Sequence, residues 1–309
     1  MLFLLVGTGA MIWFFSGLIL HPGETSLAAT KIQIAEDWGT TYDALMENLS
    51  TPEDFTLVGE DQVVLSGWYF DNPDSIKCGV VFAHGWGSTR GGMLKFADMF
   101  WDCGCDLVFY DHRAHNETKE GVGTAGIKEK LDLISMSNWL EQKSGLSESQ
   151  IAWVGESWGA ATALQAGALD EDVAFILADS PYQDWTSAIF ERGVRDYGEG
   201  ILKIAPAIMW AVDMRAGVNH EQASPLLIAK NIKEPVFLIH SKGDTQTGSA
   251  QSVNIAEQLN PNTSQFIHTD WGSDHVMDVI TRPEEYRQLV YTFIQEKVGS
   301  FGRCTASNE

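Results

Sequence analysis

Five short, unbroken apolar runs constrain this chain more than any other feature: 79–83 (GVVFA), 106–110 (DLVFY), 151–154 (IAWV), 175–178 (FILA) and 236–239 (VFLI). A strand with one wet face alternates apolar and polar residues, so unbroken runs of this length suit strands covered on both faces. Helical stretches lie between them, including 127–143 and 158–168, and strand alternating with helix gives a mostly parallel, doubly wound α/β sheet. Ahead of the runs, 55–58 and 63–70 alternate and read as a hairpin. Behind them, 265–268 reads as the last strand and 283–298 as the terminal helix. Residues 182–234, rich in Trp, Ile, Met and Ala, are too many for a plain connection, and the expectation is a helical cap inserted between strands 6 and 7.

Gly155-Glu156-Ser157-Trp158-Gly159 follows the run IAWV and opens the helical stretch WGAATAL. A serine on so tight a strand-to-helix turn projects its hydroxyl from the sheet, and the following helix aims its first amides at negative charge developing nearby. Serine alone is a weak nucleophile and needs a base held by an acid, both downstream on a sheet of this kind. Asp244 stands in the turn after 235–241 (PVFLIHS), where a strand end presents a carboxylate. His275 stands in the loop between the last strand and the terminal helix. Asp179, Asp270 and Asp274 are rival acids, while His240 and His268, in or at the ends of strands, read as members of polar networks.

An oxyanion site is expected from the backbone N–H groups of Trp86, in the turn His84-Gly85-Trp86-Gly87, and of Trp158 after the serine. Asp111-His112-Arg113-Ala114-His115 follows the next strand and is expected to brace these loops by ion pairs and hydrogen bonds. In the expected cap, Trp185, Phe190, Trp210 and Met214 are candidates for an apolar substrate pocket, set against the plainer reading of such residues as core. The chemistry calls for no metal and no cofactor, and the partner is a small-molecule acyl substrate.

Residues 2–20 differ in kind: nineteen positions without a charge, about 28 Å as a helix and close to bilayer hydrocarbon thickness. The expectation is an uncleaved transmembrane anchor. A signal segment cleaved near Ser26-Leu27-Ala28 is the first alternative and a buried core helix the second. Nothing basic flanks the segment to oppose export, so the catalytic part is expected outside the cytoplasm, tethered or released to the periplasm or medium. Residues 21–53 read as a stalk with a short amphipathic helix around 34–49, and 54–181 with 235–309 as the α/β core. A net charge of −22 opposes contact with phosphate backbones, so no nucleic-acid partner is expected. Cys78, Cys103, Cys105 and Cys304 lack zinc-site spacing and are read as buried thiols, with disulfides the alternative in an oxidising compartment.

Together these motifs resemble the α/β-hydrolase superfamily over roughly 54–298, in particular the branch of serine aminopeptidases, monoacylglycerol lipases and uncharacterised membrane-anchored bacterial hydrolases. The likeness rests on His84-Gly85-Trp86-Gly87, the Asp111 to His115 segment, Gly-Glu-Ser-Trp-Gly, Ala178-Asp179-Ser180-Pro181, the segment from Ile239 to Asp244, and Asp274-His275. It implies the α/β-hydrolase fold and cleavage of a carboxylic ester through an acyl-enzyme on Ser157, with an aminopeptidase or thioesterase using the same triad as alternatives. Ala114 departs from the resemblance, since relatives often carry glycine there. A tethered, non-catalytic binding protein on the same scaffold is the reading from another class, and it conflicts with a complete set of triad residues.

Overall fold

A computed structural model describes residues 2–306 apart from 24, 60, 75, 170 and 171, with side chains from residue 7 onward. Met1 and residues 307–309, the outer ends of the expected anchor and core, lie outside the described residues. The strands are β1 (Glu53–Val58), β2 (Val64–Phe70), β3 (Gly79–Ala83), β4 (Asp106–Tyr110), β5 (Ile151–Glu156), β6 (Phe175–Asp179), β7 (Val236–Ser241) and β8 (Gln265–Thr269). They form one eight-stranded sheet in the order β1-β2-β4-β3-β5-β6-β7-β8. The hairpin β1–β2 and the pair β2–β4 are antiparallel, and every pair from β4 to β8 is parallel.

From β3 to β7 both faces of the sheet are dry. Along β3, Val80 and Phe82 enter one apolar layer while Val81 and Ala83 enter the other, and β4 divides Leu107 and Phe109 from Val108 and Tyr110 in the same way. Successive side chains point to opposite faces, which is why the runs, Asp106 at the start of β4 apart, carry no charged residue. Burying each of the larger ones contributes roughly 2 kcal/mol.

Helices α1 (Leu2–Leu20), α2 (Leu27–Asp37) and α3 (Tyr42–Met46) precede the sheet. Then α4 (Ala97–Trp101), α5 (Glu129–Ser144) and α6 (Trp158–Gly167) follow β3, β4 and β5. Between β6 and β7 lie α7 (Trp185–Tyr197), α8 (Ala205–Ala216) and α9 (Pro225–Ile228); α10 (Ala250–Ala256) follows β7, and α11 (Asp278–Thr281) and α12 (Pro283–Phe293) follow β8.

Three segments depart from expectation. Where a stalk was expected, α2 and α3 lie on the core: Ile34 is buried, Thr30 Oγ1 meets Thr89 Oγ1 at 2.8 Å, and Tyr42, Leu45 and Met46 pack on the layer containing Phe70. The expected membrane-crossing helix is the second. Among the described residues no helix is long and apolar enough to cross a membrane. Instead α1 runs along α8, with Ser16 and Leu20 buried and Arg215 of α8 donating to Trp13 O and Ser16 Oγ at 2.7 Å each. An uncharged run asks for apolar surroundings without specifying lipid or protein, and here protein supplies them along one side. The third is the cysteines, which are not buried thiols: Cys78 pairs with Cys105 and Cys103 with Cys304. Residues far apart in the chain are brought to bonding distance by the edges of β3 and β4 and by the C-terminal segment, a proximity no spacing could announce.

Candidate active site

The turn between β5 and α6 is tight because two glycines permit it. A Cβ on Gly159 would collide with the carbonyl of Ala83 in β3, and one on Gly155 with the backbone of Gly159. Between them Ser157 is held at φ 49° and ψ −110°, a strained conformation that a non-glycine residue keeps only where its surroundings enforce it. Its N–H is tied to Asp179 O at 2.7 Å, and its carbonyl accepts the first helical bond, from Ala161.

Across the cavity, Asp244 and His275 meet: His275 Nδ1 donates to Asp244 Oδ2 at 2.5 Å. The same oxygen accepts from His240 Nε2 at 2.9 Å, and the other accepts the backbone N–H groups of Gln246 and Thr247 at 2.8 and 2.9 Å. Burial alone would raise the pKa of this carboxyl, but hydrogen bonds from His240 and His275, aided by attraction to His275, outweigh it and hold the group far below the usual carboxylate range. Asp179 is placed differently. It is fully buried, accepts from Ser180 Oγ and Tyr286 OH at 2.8 and 3.0 Å, and burial, with Asp278 nearby, pushes it up to about 6. Asp274 accepts from Thr245 and from the His275 N–H, and Asp270 is exposed beside Lys242, so neither pairs with the imidazole. His268 bonds Ser249 Oγ, as a polar-network residue would.

Ser157 and His275 line one cavity of about 870 Å³. No hydrogen bond joins them in this resting geometry, a common looseness before substrate binds. Trp86 and Trp158 line the same cavity, and neither of their backbone N–H groups has a protein acceptor among the described residues. The Trp86 turn is held from below. Gly85 O accepts from His84 Nδ1 at 2.8 Å, Gly85 N–H reaches Glu156 Oε1 at 3.4 Å, and Gly87 N–H donates to His115 Nε2 at 3.1 Å. Burial lowers His84 to about 4 and, with His84 beside it, His115 to about 3, so both rings stay neutral and His115 keeps the lone pair that Gly87 needs.

The Asp111 to His115 segment braces these loops as its composition suggested. Asp111 takes Arg90 at 2.6 Å, and Arg113 bridges Asp132 and Asp61 at 2.7 Å each. Ala114 sits at φ +64°, a glycine-favouring conformation that explains the residue expected there by resemblance.

Two groups at the site carried no sequence signal of their own role. Lys95 pairs with buried Glu156 at 2.5 Å and donates to Val276 O at 2.9 Å, so one ammonium ties the elbow to the histidine loop. Val276, next to His275, holds φ +54°, unfavourable for a β-branched residue. Glu156 was visible inside the elbow motif, whereas nothing near Lys95 marked it. Of the pocket candidates, Trp185 and Phe190 line the cavity. Trp210 and Met214 do not: they are 64% and 68% exposed, because α8 turns its Met209 and Val212 edge inward instead.

Comparisons with known proteins agree with this arrangement. Over 226 residues the chain is 28% identical to the uncharacterized protein YqkD of Bacillus subtilis (strain 168), covering 72% of each. Its structure is similar to the Pyrococcus furiosus esterase Pf2001, with a TM-score of 0.65, 25% identity, and coverage of 84% of this chain and 96% of the esterase. It also matches the fold of the Pyrococcus horikoshii acylaminoacyl peptidase, with a TM-score of 0.63 and 17% identity over 85% of this chain and 44% of that one. Residues 115–301, which hold the elbow, Asp244 and His275, match the prolyl oligopeptidase family, and the chain, with its α/β-hydrolase sheet, belongs to that family.

Proposed function

We propose that this hydrolase cleaves carboxylic esters through an acyl-enzyme on Ser157. The reading is carried by the Asp244–His275 hydrogen bond, formed at the rim of the cavity into which the strained elbow presents Ser157. His275 Nε2 takes the Ser157 proton as Oγ attacks the acyl carbonyl, and Asp244 holds the tautomer with Nδ1 protonated and stabilises the imidazolium. The N–H groups of Trp86 and Trp158 donate hydrogen bonds to the oxyanion, each worth about 3 kcal/mol to the transition state. Collapse expels the alcohol with the proton returned by His275. Water, deprotonated by the same imidazole, then releases the acid.

A carboxylic ester is favoured over a peptide by the likeness to an esterase across nearly that protein's whole length. The second reading, an aminopeptidase using the same residues, draws on the family match itself. Two disulfides support work in an oxidising, extracytoplasmic compartment. In the test, Ser157→Ala is expected to lower kcat/KM on p-nitrophenyl butyrate by at least about 10⁴-fold and to abolish fluorophosphonate labelling. Full activity in that variant would overturn the assignment, and aminoacyl amides assayed beside the esters separate the two readings.

A further inference from the structure

We propose that the N-terminal apolar helix is part of the substrate site, forming with α7 and α8 the wall that receives an apolar acyl chain, so that the preferred substrates are esters of medium-chain or longer acids. The inference rests on the reading of Ser157 as an acyl-transfer nucleophile and names the class of acyl group it accepts.

Phe15, Leu18 and Ile19 of α1 line the same cavity as Ser157 and His275, together with Ile189 and Phe190 of α7 and Ile208 of α8. None of these six side chains carries a polar atom, so together they offer an acyl chain burial, while Arg192, Arg195 and Asp196 of α7 supply a polar part of the same lining. The wall is continuous with the catalytic loops. Ile19 and Leu20 belong to the apolar cluster that contains Trp86 and Trp158, the residues flanking the space where the carbonyl reacts.

The wall is also held in place by specific contacts. Arg215 of α8 donates to Trp13 O and Ser16 Oγ at 2.7 Å and lies over the Trp13 ring at 4.1 Å. Phe15 packs edge-on against Tyr197 of α7 at 4.9 Å, and Leu20 O accepts the Gly123 N–H at 2.9 Å. A segment whose composition alone suits lipid is thereby fixed as a specificity element. Its departure would open the acyl end of the site.

Two variants test this in the full-length protein with p-nitrophenyl acetate and octanoate. Ile19→Trp fills the acyl end, and Arg215→Glu releases α1 from α8. Either is expected to lower the octanoate-to-acetate ratio of kcat/KM by roughly tenfold or more, the scale on which apolar pockets discriminate chain length. Fluorophosphonate labelling is measured in parallel. Ratios within about twofold of wild type in both variants, with Ser157 still labelled, would overturn the acyl-wall assignment alone. Failure of the wild type to label would instead overturn the nucleophile, and this inference with it.

Discussion

The two apolar helices that meet at the site, α6 and α1, are opposites in what their composition conveys. All ten residues of α6 are buried, whereas the longer and more greasy α1 leaves Met11, Trp13, Phe14 and Leu18 substantially exposed. The difference lies in size and context. α6 is built from glycine and alanine on its inner side, and it sits against β3 and β5 at a separation that admits nothing larger at Gly159. α1 carries bulky side chains at Met11, Trp13, Phe14 and Leu18 that its packing on α8 leaves largely uncovered. Apolar content measures a preference for leaving water; small side chains at fixed spacing specify the neighbour.

That contrast can be broken experimentally. The largest effect is expected at Gly159→Ala, whose methyl would enter the Ala83 carbonyl; urea unfolding should show a loss of at least about 4 kcal/mol together with loss of esterase activity. A variant of wild-type stability would mean that α6 does not lean on β3 so closely. Next, Leu20→Ala should cost about 3 kcal/mol, because the side chain is 1% exposed in a packed cluster, while Phe14→Ser, at 60% exposed, should stay within about 0.5 kcal/mol. Equal responses from the two would deny α1 its buried edge. A smaller change than the Leu20 loss is a gain: Ala114→Gly relieves a left-handed alanine at φ +64° and should raise stability by about 1 kcal/mol, read as a higher Tm. An unchanged or lower Tm would show that the brace around Arg113 tolerates the strain without penalty.

What the sequence discloses follows from the range of the interaction involved. Strands β3 to β7 were legible because burial on two faces erases polar residues locally, within five or six positions. Ser157 was legible because the elbow needs both glycines beside it. Asp244 was legible by its strand-end turn and His275 by its loop between the last strand and the terminal helix, and it is their side chains that the fold joins. The pairing of Lys95 with Glu156 has no local signature: an ion pair between distant loops leaves no periodicity in either. The same holds for Cys103 with Cys304. Trp210 and Met214 were misplaced for another reason. Their composition suits a pocket, but which edge of α8 turns inward depends on the partners it meets, among them α1, and those were not foreseeable without the fold.

Because Asp244 is gripped by His240 and by two backbone amides as well as by His275, letting go of the catalytic ring does not set the carboxylate adrift. The imidazole at 275 is therefore the single movable part mounted on a fixed post. In the proposed acyl transfer the ring would turn toward the serine, the departing alcohol and the incoming water while held by the same carboxylate.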